Sequence, residues 1–236
     1  MDPSSFPPSV GDIPYTSCYC EENIYLLTKY FASQPTAGLC WDLFVIFISN
    51  PIREVALWCQ RMASSREKPV IWDYHVVLAL RERPQLLQQT STSTSSAERS
   101  TWIYDFDTHL SVPCPWKEYI LETFPPNAVI PPEYRSQFRI VPGEEYLLNF
   151  ASDRSHMLSP LGSSPVSYYL APPPIYPAIC GSGAATNGVR NNLMTCFVSM
   201  DASEETYGAV MDLKDLMDWG FEGGLDTHIE ERHITQ

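Results

Sequence analysis

Hydrophobic and polar positions fall into distinct periods along this 236-residue chain. From Cys20 to Phe31 (CEENIYLLTKYF), Ile24, Leu27 and Phe31 recur at helical spacing, with Glu21 and Glu22 in what would be the first turn, where the helix dipole favours acids. The pattern predicts an amphipathic helix opening at Cys20. Leu43 to Ser49 is almost wholly apolar and stops at Asn50-Pro51, which reads as a buried strand followed by a turn. Pro69-Val70 opens VIWDYHVVLAL, a second strand whose apolar residues occupy both faces, so it belongs inside a sheet rather than at its edge. Trp102 to Phe106 resumes strand character, and Phe138–Val141 and Cys196–Met200 look like further strands. Trp116–Phe124 and Glu144–Phe150 look like short helices.

Between the second and third strand patterns, Glu82 to Ser100 is rich in Ser, Thr and Gln and cannot bury enough apolar area to order itself. It reads as a mobile insertion in a lengthened hairpin, a change that costs little because closure entropy grows slowly with loop length. Ser159–Thr186 is a proline- and glycine-rich connection. Strands without βαβ alternation, and with helices before and after, predict an α+β fold: a single domain built on a mostly antiparallel sheet flanked by helices. Residues 1–14 form a flexible lead-in, 15–215 the domain and 216–236 an acidic tail.

Charge and cysteine usage narrow the setting. The formal net charge is -13, and ten acidic residues against Lys214 and Arg232 put -8 of it between Asp201 and Gln236. That balance argues against binding to a nucleic-acid backbone, which needs a basic surface. The longest uninterrupted apolar run, Leu43–Ile48, is far short of a bilayer span. The first residues lack the basic and apolar regions of a secretory signal. Seven cysteines, scattered apart from Cys18 and Cys20, fit free thiols in a reducing compartment. The expectation is a cytoplasmic monomer, small enough to share the nucleus, with no membrane or nucleic-acid partner.

Cys20 is the first residue with chemical promise. At a helix start, unsatisfied backbone N–H groups stabilise a thiolate and lower the thiol pKa, and its own N–H could donate to an oxyanion. Cys18 is the neighbouring alternative but lies before the helix and loses that benefit. A zinc site would need a second Cys/His pair, and the remaining cysteines form none, so neither metal nor other cofactor is expected. His75 sits within the second strand pattern. Adjacent antiparallel strands could set it beside Asp105, whose carboxylate would fix its tautomer, with Asp107 two residues on as the competitor. His109, His228 and His233 are weaker: the first reads as a loop residue and the others lie in the acidic tail.

CYCEEN (Cys18–Asn23), PVIWDYHVVL (Pro69–Leu78), YDFDT (Tyr104–Thr108) and NFASDRSHM (Asn149–Met157) resemble the protein N-terminal glutamine amidohydrolase family. VIFISN (Val45–Asn50), PPPIYP (Pro172–Pro177) and the Ser199–Asp201 and Tyr207–Val210 strings extend the likeness, in order, from about Tyr15 to Val210. The resemblance implies hydrolysis of the side-chain amide of a glutamine at a protein's N-terminus, releasing ammonia. The resulting glutamate would feed an N-terminal degradation signal. It further implies Cys20 as nucleophile, His75 as general base and acid, Asp105 as orienter, and a fold similar to the papain and transglutaminase group. A papain-like protease or a transglutaminase could use the same triad, and a non-catalytic acidic, proline-rich binding module is the reading outside enzymes.

Specificity for a terminal residue would require an acidic group to pair the substrate α-ammonium. Glu21, Glu22, Asp73 and Asp153 are the candidates, and the sequence does not choose among them.

Overall fold

The computed structural model describes residues 7–83, 99–159 and 168–221. Residues 84–98 of the Glu82–Ser100 insertion and residues 222–236 of the 216–236 tail lie outside the described residues. The chain opens with helix α1 (Cys20–Ser33) and the short α2 (Pro35–Cys40), then the long strand β1 (Trp41–Ser49). Strands β2 (Val55–Leu57) and β3 (Val70–Trp72) form a separate two-stranded sheet. β4 (His75–Glu82), β5 (Thr101–Tyr104) and β6 (Cys114–Pro115) follow, then helix α3 (Trp116–Thr123), β7 (Gln137–Pro142) and helix α4 (Gly143–Asn149). After α5 (Ser182–Thr186) come β8 (Ala209–Met211) and α6 (Leu213–Phe221).

The main sheet runs β6-β5-β4-β1-β7-β8, and every pairing in it is antiparallel. This is the single α+β domain the sequence pattern predicts. Side chains of successive strand residues point to opposite faces, and both faces of β1 and β4 are covered. Val45, Phe47, Val76, Leu78 and Leu80 pack into one core with Ile24, Leu27 and Phe31 of α1 and Tyr146 of α4. Phe44, Ile46, Ile48, Val77 and Ala79 pack into the other with Trp116, Tyr119 and Ile120 of α3 and Trp219 of α6. Continuous apolar runs in the sequence therefore mark central strands buried from two sides.

Three local expectations change. The run VIWDYHVVLAL is two strands rather than one. The backbone leaves the ladder at Asp73-Tyr74, where Asp73 Oδ1 accepts the Tyr74 N–H (2.9 Å) and Ser49 Oγ donates to the Asp73 carbonyl (2.8 Å). His75 consequently opens β4 instead of sitting mid-strand. Cys196–Met200 forms no strand: Leu193–Val198 winds into a π-helical turn that inserts Phe197 among Phe47, Tyr146, Phe150 and Tyr207. Leu216 and Trp219 are buried, so the folded unit extends beyond residue 216, where the charge pattern begins the tail. In the lead-in, Val10 and Ile13 lie against the core, and the Tyr104 hydroxyl donates to the Pro8 carbonyl. No helix among the described residues is long and apolar enough to cross a membrane.

Candidate active site

Helix α1 lies across β4, and its first residue is Cys20. The turn before it is fixed by Asn23, whose side chain accepts the Thr16 N–H (2.9 Å) and donates to the Thr16 carbonyl (2.8 Å). Cys18 occupies this turn in a left-handed conformation (φ 67°), its sulfur 3.6 Å from Ser17 Oγ. The Cys20 sulfur is turned inward and meets the backbone N–H of Val76, the residue after His75.

His75 is fully buried, stacked against Trp72 with ring centroids 5.2 Å apart. Its Nε2 is 2.9 Å from Asp105 Oδ1, while its Nδ1 is buried with no hydrogen-bond partner among the described residues. Strand β5 ends at Tyr104, so Asp105 stands in the turn beyond it rather than in the ladder. The turn aims the carboxylate at His75. Oδ1 also accepts the Asp107 N–H (2.8 Å), and Oδ2 accepts from Tyr119 (2.9 Å) and Gln60 (3.3 Å). Four donors thus fix an acid that is 1% exposed. Asp107, the competitor, accepts a hydrogen bond at its Oδ1 from the Tyr15 hydroxyl (2.6 Å). The ligand atoms of His75, Asp105 and Asp107 lie within 4.8 Å of one another, close enough to share a metal ion. The Asp105 oxygens, however, are already accepting hydrogen bonds.

The electrostatics of the pair follow from this packing. Burial resists charge on His75, but the Asp105 charge and hydrogen bond, with Asp107 behind them, outweigh it and raise the imidazole pKa. Burial likewise opposes ionisation of Asp105, and His75, the Asp107 N–H and Tyr119 reverse it, holding the carboxyl below its ordinary value.

Cys20 departs from expectation. The helix start predicts a lowered pKa, yet the thiol lies well above its ordinary value. Burial is the main cause, followed by the charges of Glu21, Asp107 and Asp73; the Val76 N–H works the other way. A raised pKa means less thiolate at any given pH. Alkylation of Cys20 by iodoacetamide in the free protein should therefore be slow at pH 7 and still rising at pH ~9. A rate that levels off below pH ~7, followed by mass spectrometry, would contradict this account.

The four acidic candidates separate clearly. Glu22 is fully buried and held by Arg154 through two bonds, Nε to Oε1 (2.7 Å) and Nη2 to Oε2 (2.8 Å). Arg154 adopts a left-handed φ of 62° and also donates to the Pro174 and Tyr176 carbonyls. Asp153 is exposed and accepts from the Ser155 N–H (2.9 Å) and Asn191 (2.7 Å). Slight burial raises its pKa, but these bonds prevail and lower it. Asp73 is exposed at the break before β4. Glu21 is fully buried beside Cys20, its Oε2 accepting the Tyr74 hydroxyl at 3.0 Å.

Sequence reasoning missed Tyr74, Tyr119 and His156. His156 Nε2 lies 3.2 Å from the Tyr74 hydroxyl and 3.5 Å from Glu21 Oε1. Its place in the NFASDRSHM string was the one available signal. His109 is exposed, and His228 and His233 fall outside the described residues.

An α+β domain thus sets a buried thiol at a helix start against a strand that opens with a histidine, and that histidine is held by an aspartate from the next strand's end; these are residue types that thiol-based acyl transfer uses. Comparison with known proteins is specific. A family model described as N-terminal glutamine amidase matches residues 15–219. The Bos taurus protein N-terminal glutamine amidohydrolase is 38% identical over 203 residues, 86% of this chain and 84% of that protein. The Homo sapiens protein of that name is 37% identical over 201 residues (85% and 84%), and the Danio rerio one 36% over 210 (89% and 90%). The chain belongs to the N-terminal glutamine amidase family.

Proposed function

We propose that this protein hydrolyses the side-chain amide of glutamine at the N-terminus of proteins and peptides, with Cys20 as nucleophile, His75 as proton carrier and Asp105 as its orienter. The observation that carries the mechanism is the asymmetry of His75. With Nε2–H committed to Asp105, the buried Nδ1 is left as the acceptor. The thiol proton passes to Nδ1 as the sulfur bonds to the glutamine Cδ, and the carbonyl oxygen takes up negative charge. The Cys20 N–H, in the first turn of α1, is suited to stabilise that oxyanion. The tetrahedral species collapses: the C–N bond breaks, His75 returns its proton to nitrogen, and ammonia leaves a thioester. Water then gives a proton to His75 and its oxygen to Cδ; the C–S bond breaks and the thiol is restored. The product is a polypeptide beginning with glutamate, ready for reactions that read an N-terminal acid as a degradation signal.

The raised thiol pKa supports proton transfer coupled to attack rather than a resting thiolate. All seven cysteines are free, which supports work in a reducing compartment such as the cytoplasm, where we place the protein as a monomer.

Ammonia release from a short peptide beginning with glutamine, and from the same peptide acetylated at its amine, tests the reading. Release from the free-amine peptide alone is expected. Release from both would mean a general glutaminase or a transglutaminase-like enzyme, and peptide cleavage in place of ammonia a protease. Reaction with neither would leave the acidic, proline-rich binding module.

A further inference from the structure

Two adjacent glutamates in the first turn of α1 are both fully buried, and they are treated differently. Glu22 is neutralised by Arg154. The ion-pair partner of Glu21 among the described residues is His156 alone, 3.5 Å from Oε1, and that oxygen accepts no hydrogen bond. Its twin, Oε2, faces the Tyr74 hydroxyl and lies 3.8 Å from the Cys20 sulfur. Leaving a buried carboxylate oxygen without a donor is unfavourable. One residue from the nucleophile, such an oxygen points to a donor supplied by the substrate.

We propose that Glu21 Oε1 receives the α-ammonium of the substrate's first residue and so enforces the need for a free amino terminus. The inference rests on the amidase reading above and gives that site its specificity-determining residue. Reach is adequate. Four bonds separate the α-nitrogen of glutamine from Cδ, a span of about 4–5 Å, so a glutamine with Cδ against the Cys20 sulfur can present its ammonium to the neighbouring carboxylate. The other candidates fit less well. Glu22 already has its cation, Asp153 is occupied by Ser155 and Asn191, and Asp73 is exposed, where an ion pair discriminates weakly. An acetylated terminus would bring only a neutral amide to Glu21 and leave the buried charge uncompensated.

Access requires His156 to yield. It rides on a single 3-10 turn (Ser155–Met157), and among the described residues its Nδ1 has no partner and its polar anchoring is at Nε2. A cation delivered to Glu21 would also offset the field by which this carboxylate disfavours the Cys20 thiolate. Recognition of the terminus and readying of the nucleophile would then share one side chain.

Steady-state kinetics of Glu21→Gln test this, with a glutamine peptide and its counterpart in which the α-amine is replaced by hydrogen. The amide keeps an acceptor for Tyr74 but removes the charge. The preference for the amine-bearing peptide should collapse, with kcat/KM for it falling about 100-fold or more, chiefly through KM. Cys20 alkylation by iodoacetamide should persist and quicken. Asp153→Asn should retain the preference. A merely structural role would slow both peptides alike and spare the ratio, which would overturn the proposal, as would a collapse in Asp153→Asn. If Glu21→Gln fails to fold, Glu21→Asp, which withdraws the charge by one methylene, should raise KM in the same selective way. Absence of ammonia with the unaltered protein would overturn the amidase reading and this proposal with it; intact turnover with an unaltered preference in Glu21→Gln overturns this proposal alone.

Discussion

Cys20→Ala is expected to give a folded protein whose release of ammonia from glutamine peptides falls by at least ~10^4-fold, because the acyl-accepting atom is gone and no neighbour can replace it. Cys18, the nearest thiol in sequence, is held in a left-handed turn with its sulfur by Ser17. Cys18→Ala should accordingly retain turnover. The structural effect of losing Cys20 is small. One buried sulfur disappears and the Val76 N–H loses an acceptor, together about 1–2 kcal/mol of stability. Thermal unfolding should therefore show a shift of only several degrees. Continued ammonia release from a folded Cys20→Ala protein would remove the thioester route altogether.

Asp105→Asn is the second large effect, and it separates geometry from charge. The carboxylate accepts four bonds, from His75, the Asp107 N–H, Tyr119 and Gln60. An amide in its place keeps one acceptor oxygen and points an NH₂ at groups that were donors. Tyr119 can rotate its hydroxyl to accept, but if the NH₂ meets His75, the imidazole must turn Nε2 into an acceptor and carry its proton on Nδ1, the atom needed as base. The wrong-tautomer effect in serine proteases is about 10^4-fold in kcat, and a loss of about 10^2–10^4 is expected here. Without the Asp105 charge, the raised His75 pKa should also drop, which a histidine titration by NMR would follow. Asp107→Asn, which keeps an oxygen to accept the Tyr15 hydroxyl and removes only a charge that acts on His75 behind Asp105, should be far milder. Full activity in Asp105→Asn together with loss in Asp107→Asn would exchange the two roles.

The elements that a one-dimensional pattern could reveal were those whose neighbours did not overrule it. Ile24, Leu27 and Phe31 announce α1, and the apolar run of β1 announces a strand covered on both faces. The break at Asp73-Tyr74 was not legible, because it depends on Ser49 and on a tyrosine whose hydroxyl is claimed by Glu21 in another element. Cys196–Met200 has strand composition, but aromatic packing around Phe197 winds it into a turn. The site divides the same way. Local context singles out Cys20, His75 and Asp105 as candidates but leaves Cys18 and Asp107 beside them, and only family likeness chooses. The state of the Cys20 thiol was not legible, since it is decided by burial and by carboxylates converging from three segments. Glu22 looked like a helix-dipole residue or a substrate ligand until Arg154, far along the chain, claimed it.

The hairpin of β4 and β5 has a further consequence. His75 begins β4 and Asp105 follows the end of β5, whereas Glu82 and Thr101, where the two strands are joined through the insertion, lie at the other end of the ladder. Seven strand steps separate His75 from Glu82, roughly 23 Å, and four separate Asp105 from Thr101, roughly 13 Å. The sheet therefore acts as a ruler: the register of β4 against β5, not the number of residues between Glu82 and Ser100, sets the spacing of the two side chains.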